Sequence, residues 1–101
     1  MPEAIQQYAA AVRYAPDRES ARLALGAAMS KVGRHEEAIR EFLVALEIAP
    51  GDPEAHYNLA IAYLAAGNAR AARQHLEQTL AISPEHVAAR RALNDLLKKG
   101  G

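Results

Sequence analysis

The side chains best suited to chemistry in this chain of 101 residues are its four histidines and its clustered carboxylates. Imidazole titrates nearest neutrality and is the commonest metal ligand. A helical metal site of the H-E-x-x-H kind needs two histidines one turn apart. His35, His56, His75 and His86 contain no such pair. No metal site is expected, and the four are read as exposed or partly buried imidazoles on helix surfaces. Carboxylates gather at Glu36, Glu37, Glu41, Glu47, Asp52 and Glu54, opposed within that stretch only by Arg40. Paired carboxylates can do acid–base work across a cleft. Glu37 and Glu41, however, lie one turn apart on a single helix, where like charges on a solvated face are the expectation. Glu36 with Arg40, Arg73 with Glu77, and Arg91 with Asp95 fit one-turn ion pairs worth a few tenths of a kcal/mol each. Without cysteine there is no thiol nucleophile, zinc–thiolate site or disulfide. Phosphate loops and nucleophile elbows are absent as well. The chain reads as a non-enzyme with no cofactor.

Charge narrows the partners. Twelve Lys+Arg balance twelve Asp+Glu, so the basic excess of a small nucleic-acid-binding domain is missing. The end of the chain is locally basic through Arg90, Arg91, Lys98 and Lys99, but no aromatic residue interleaves them for base stacking. The longest apolar run, Leu59 to Ala66, is too short to span a bilayer, so no membrane insertion is expected. The first residues carry neither a basic nor an apolar targeting region, and a cytoplasmic location is the expectation. Nine arginines against three lysines, with much alanine, suggest a GC-rich bacterial genome.

Alanine, about a quarter of the residues, favours helices that approach closely. Pro16, Pro50 and Pro84 recur every 34 residues, each closing an amphipathic run, and Gly33 and Gly67 keep the same spacing. Ala4, Ala38 and Ala72 form one series in that frame; Ala21, Ala55 and Ala89 form another, and Leu25, Leu59 and Leu93 a third. Proline ends each helix. Gly33 and Gly67 suit the left-handed residue that closes one. Asp52-Pro53-Glu54 reads as an N-cap, a proline at the first helical position and an acid in the first turn. The pattern predicts six helices near 3–14, 19–32, 36–48, 53–66, 69–82 and 86–99.

This pattern resembles the tetratricopeptide repeat, a helix–turn–helix unit of 34 residues with the signature W-x2-L-G-x2-Y followed by A, F, A and P. Leu25-Gly26, Met29, Ala38, Phe42, Ala45 and Pro50 match one copy; Leu59-Ala60, Tyr63, Ala72, Leu76, Thr79 and Pro84 match the next. The signature tryptophan is replaced by Arg22, His56 and Arg90, which suggests a polar surface there. The resemblance implies an all-α fold: a right-handed superhelical solenoid of antiparallel helix pairs. Residues 1–16 match the second helix of a partial repeat, 17–51 and 52–85 match full repeats, and 86–99 match a first helix acting as a C-terminal cap. Asn94 stands where Gly26 and Ala60 admit a paired helix, as suits an uncovered end. Ala4, Tyr8 and Ala11 retain the pattern that packs on a preceding helix. The chain is therefore expected to end a longer array or to self-associate, as a homo-oligomer, through that face.

By resemblance, first helices line a concave groove that receives a protein or peptide partner. In this register the groove residues include Leu23, Ala27, Ser30, Tyr57, Asn58, Ile61, Leu64 and Arg91. Leu23, Tyr57, Ile61 and Leu64 are the expected apolar anchors, Asn58 a hydrogen-bonding group to the partner backbone, and Arg91 a positive edge. Tyr57, Ile61 and Leu64 share one helix side opposite Leu59, Ala62, Tyr63 and Ala66, so this helix needs partners on two faces. Packing against neighbouring first helices is an equal alternative for the first three. Co-chaperones of this family grip acidic C-termini with lysines, asparagines and an arginine. Only Asn58 matches that clamp; Leu23, Ala27, Ala88 and Ala92 stand at its other positions. The groove therefore favours an apolar or amphipathic segment. A structural self-association module, and a regulatory piece of a larger enzyme, are the alternatives.

Overall fold

Gly33 and Gly67 adopt φ of +85° and +86°, the left-handed conformation that ends a helix without a Cβ penalty. The surrounding bonds repeat one period apart. Gly33 N–H donates to Ser30 O and Arg34 N–H to Met29 O; Gly67 N–H donates to Leu64 O and Asn68 N–H to Tyr63 O. This paired capping reverses the chain and sets each first helix antiparallel to its second. A computed structural model describes residues 2–100, with Met1 and Gly101 outside the described part. It contains α1 (Pro2–Tyr14), α2 (Glu19–Lys31), α3 (His35–Ile48), α4 (Pro53–Ala65), α5 (Ala69–Ile82) and α6 (Val87–Gly100). No strand occurs among the described residues, and no described helix is long and apolar enough to cross a membrane.

The caps follow local sequence. Asp52 caps α4 by accepting from Glu54 N–H, with Pro53 at the first helical position. Asn68 caps α5 by accepting from Ala71 N–H. His86 does the same for α6 through Nδ1, which accepts from Ala89 N–H at 3.0 Å. In each case a side chain satisfies a donor that has no partner within the helix.

Packing is closest within the pairs α2–α3 and α4–α5, with α3 against α4 next. The molecule extends 43 × 25 × 18 Å, as a stack of helices rather than a shell around one centre. Its core is made of small residues facing large ones. Ala38, Ala45, Ala55, Ala60, Ala72 and Ala89 are fully buried beside Phe42, Leu59 and Leu76. The tightest approach is at Gly26. A Cβ built there would lie 2.5 Å from Phe42 Cε1, so the ring fills the space that any other residue would need. The next copy of this contact holds Ala60 and Leu76, a slightly larger residue against a smaller one.

Several expected surface features change in three dimensions. The signature-tryptophan positions are not simply polar surface. Arg22 Nε donates to Pro16 O at 3.2 Å, His56 Nε2 to Pro50 O at 3.0 Å, and Arg90 Nη2 to Pro84 O at 3.0 Å. Each ties its helix to the proline carbonyl ending the one before. His56 is only 7% exposed. The carboxylates do not merely repel one another: Glu41 meets Arg22 at 2.9 Å, and Glu37 meets Arg34 at 2.6 Å. Arg73–Glu77 forms as expected at 3.2 Å. Arg34 rather than Arg40 is the cation engaged on α3, because it sits at the helix start facing Glu37.

The Gly26/Phe42 contact predicts a compensating pair. Gly26→Ala should destabilise by about 1–3 kcal/mol through overpacking, and Phe42→Leu should cost roughly 1 kcal/mol by leaving a cavity. Together they recreate the Ala60/Leu76 arrangement, so the double variant should be more stable than additivity predicts. Urea unfolding of the four proteins measures this; strict additivity would refute the account.

Candidate functional site: the groove between first helices

The first helices α2 and α4 lie side by side. Between them a cleft of about 190 Å³ is lined by Ala27 and Ser30 of α2, by Tyr57, Asn58 and Ile61 of α4, and by Phe42 of α3. Five of the residues expected in the groove are thus gathered in one place. Their spacing explains it: Ala27 and Ser30, like Tyr57, Asn58 and Ile61, fall within one turn on a single side of their helices. Ile61 is 38% exposed and presents the open apolar surface. Asn58 is half-buried among these apolar neighbours, so its amide is the polar group that can register a bound backbone.

The other three lie apart. Leu23 packs against the core cluster around Val12, Leu25 and Leu59. Leu64 is half-buried and does not line the cleft. Arg91 lines a separate cleft on α6 with Val87, Asn94 and Lys98. Tyr57 is shared: it packs against the buried cluster of Ala60, Leu76 and Ala89, on which Ala92, Leu93 and Leu96 of α6 also pack, and its ring centroid lies 4.8 Å from that of His86. Part of the two-sided apolar character of α4 is therefore spent on the neighbouring first helix, and Ile61 carries the exposed remainder.

Phe42 was matched in the sequence only as a position of the repeat signature. It is 2% exposed, yet its ring reaches the groove floor because Gly26 offers no side chain to stop it. The signal was the pairing of a glycine on one helix with an aromatic on the next.

One end of the groove, where the first helices begin, is bordered by linked polar groups. Glu19 and Asp52 bring two carboxyl groups together there; a proton shared with Asp52, then burial and the Asp52 charge, push the Glu19 carboxyl from the ordinary 4.5 up to about 7. Glu19 Oε2 is buried and makes no hydrogen bond. One repeat further on, Glu54 Oε2 accepts from His86 Nε2 at 2.9 Å. The His86 tautomer is fixed, since its Nδ1 is already an acceptor at the α6 cap. On the opposite side of α4, His56 Nδ1 lies 3.2 Å from His75 Nδ1, and Tyr63 stacks on His75. Because His56 Nε2 must donate to Pro50 O, His56 Nδ1 accepts and His75 Nδ1 donates. Burial, then the neighbouring His56, lowers the His75 pKa. Sequence spacing along one helix misses this pair because its members sit on different helices. Among the described residues no group of three or more metal-binding side chains is assembled.

The profile of the tetratricopeptide repeat matches residues 1–56 and again 33–96. The chain belongs to the tetratricopeptide repeat family. It is 39% identical over 74 residues to the TPR repeat-containing thioredoxin TTL4 of Arabidopsis thaliana, a match covering 73% of this chain and 11% of that protein. It is 35% identical over 78 residues to the peroxisomal targeting signal receptor of Eremothecium gossypii, covering 77% of this chain and 14% of the receptor. This repeat chain thus spans a small part of each curated relative. Among solved structures, YrrB, described as a TPR protein with an unusual peptide-binding site, superposes with a TM-score of 0.87 at 27% identity, covering 90% of this chain and 47% of YrrB.

The Glu19–Asp52 carboxyl pair makes stability pH-dependent. Between pH 4.5 and about 7 the folded state holds a proton that unfolded Glu19 has released. Its contribution is complete below the lower value and lost as pH rises through the upper one. The lowered His75 acts oppositely, since acid below 6.5 protonates the unfolded imidazole first. Glu19→Gln should therefore raise the Tm relative to wild type at pH 8 more than at pH 5, as read by thermal unfolding. An equal change at both values would show that the proton is not shared.

Proposed function

We propose that this repeat chain is a non-catalytic interaction scaffold. Its α2–α4 groove holds a short apolar or amphipathic segment of a partner protein. The observation that carries this reading is the cleft itself: Ile61, Ala27 and the Phe42 ring form an apolar surface, with the Asn58 amide and Ser30 hydroxyl as its polar groups. Apolar anchors bind by removing surface from water, and the two polar groups set the register of the bound backbone. The peptide-binding site of the similar YrrB supports the same mode.

The charge pattern defines the ligand further. A TPR of Spaghetti (RPAP3) bound to the HSP90 peptide SRMEEVD has the same fold, with a TM-score of 0.93 at 17% identity. Here Leu23, Ala27, Ala88 and Ala92 bring no cation to meet two carboxylates. An apolar side chain is the better fit for Ile61 and Ala27. The same module within a larger polypeptide is a second reading, supported by the much greater length of its curated relatives.

Peptides selected from a displayed library should be rich in apolar residues, and SRMEEVD should not bind measurably. Ile61→Lys and Ala27→Glu, both at exposed positions, should each weaken the selected peptide by at least about tenfold, equivalent to ~1.4 kcal/mol. Helical circular dichroism should remain unchanged. Binding that survives both substitutions would remove the groove from consideration.

A further inference from the structure

Two imidazoles on neighbouring helices meet on the side of α4 turned away from the groove. His56 Nδ1 and His75 Nδ1 are 3.2 Å apart, and the ring centroids are 5.4 Å apart with an interplanar angle of 26°. That centroid distance is close to the largest the two rings can reach at this nitrogen separation, so they stand nearly head to head. The directions of the two nitrogen lone pairs therefore fall along a single line. The same positions one repeat earlier hold Arg22 and Glu41, whose charged groups meet at 2.9 Å. The fold thus brings these two positions together whichever side chains they carry, and the second repeat fills both with metal-binding nitrogen. His56 is already set as a ligand. Its Nε2 donates to Pro50 O at 3.0 Å, the outer contact that fixes ring and tautomer in metal-bound histidines, and its Nδ1 lone pair faces His75. His75 is half-buried, with the Tyr63 ring alongside at a centroid distance of 5.8 Å. Burial and then the neighbouring His56 hold its imidazole below the ordinary 6.5, so protons compete little for it at neutral pH.

We propose that His56 Nδ1 and His75 Nδ1 bind one copper(I) ion between them, in linear two-coordinate geometry. Two features of the pair select that ion. Imidazole nitrogen suits copper and zinc rather than calcium or magnesium, but zinc takes four ligands, three or four of them from the protein. Among the described residues no third histidine, cysteine or carboxylate joins the pair to complete such a set. Copper(I), a closed-shell monovalent ion, is satisfied by two collinear donors. At the roughly 2.0 Å of a zinc–imidazole bond, a collinear ion needs the nitrogens about 4 Å apart, an outward swing of His75 by about 0.8 Å. Pro50 O meanwhile keeps His56 in place. The proton that His75 now carries on Nδ1 moves to its Nε2 by exchange with solvent, so uptake of the ion releases no net proton. The ion then ties α4 to α5 through two coordinate bonds in place of one N–H···N hydrogen bond. Because it lies across α4 from the groove, the site stands whether or not a peptide binds there.

The probe is copper(I), kept reduced by ascorbate under nitrogen and offered to the intact protein in competition with a chromophoric chelator. Uptake of one ion per chain is expected. His75→Gln should weaken that uptake at least about tenfold, since loss of an outer contact alone costs about 10–100-fold in metal affinity. Circular dichroism checks that the variant folds. A second measurement needs no variant. Silver(I), which shares the linear geometry and is stable in air, is titrated into the isotope-labelled wild type and followed by nitrogen resonances of the imidazoles. The Nδ1 signals of His56 and His75 should shift together and saturate at one equivalent, while those of His35 and His86 stay in place. No uptake, uptake that a folded His75→Gln variant leaves unchanged, or shifts at the other histidines instead of this pair would each overturn the proposal. So would equal or tighter uptake of zinc(II) by the same two nitrogens, because a four-coordinate ion would then be the better occupant.

Discussion

The whole solenoid depends on how closely two helices can approach. Where Gly26 meets Phe42, the backbone of one helix is the wall against which the aromatic ring of the next is seated. Interiors packed to crystal density leave no slack for an added methyl group, so this one contact fixes the spacing of the pair. The fully buried alanines at 38, 45, 55, 60, 72 and 89 extend the same close approach along the stack. Because Gly26 is bare, Phe42 also shows through to the groove floor. The residue that holds the helices together therefore contributes to the candidate site.

A second layer of order comes from backbone groups that a solenoid leaves open. Each turn after a proline exposes a carbonyl with no helical partner, and buried groups of this kind are rarely left unpaired. Arg22, His56 and Arg90 solve the same problem one period apart, with two chemistries, guanidinium and imidazole. A tryptophan at that position would fill space with apolar surface. These residues fill part of it and add a directed hydrogen bond, so the substitution changes the nature of the joint without loosening it.

Much of the fold was legible because punctuation is local. Proline, glycine and the Asp52 cap act within a turn of themselves, and the six helices begin and end within about two residues of the positions they mark. Five of the six residues lining the cleft were legible as well, since Ala27 with Ser30, and Tyr57 with Asn58 and Ile61, each share a side of a single helix. What could not be seen were contacts between helices. Glu19 with Asp52, His56 with His75, and Arg22 with Glu41 join residues far apart in the chain. For Tyr57 the sequence left groove and neighbouring helix equally open, and the structure lays α6 against it.

One equivalence among those contacts has a consequence for how the molecule responds to its surroundings. Residues 22 and 41 occupy the same repeat positions as 56 and 75. The first pair is a guanidinium on a carboxylate, partly open to solvent; the second is two imidazoles, one of them buried. Dissolved ions screen the first and leave the second nearly untouched. A second added proton removes the acceptor from the imidazole pair, while the guanidinium keeps its charge throughout. The two equivalent pairs thus answer to different solution variables, one chiefly to ionic strength and the other to acidity.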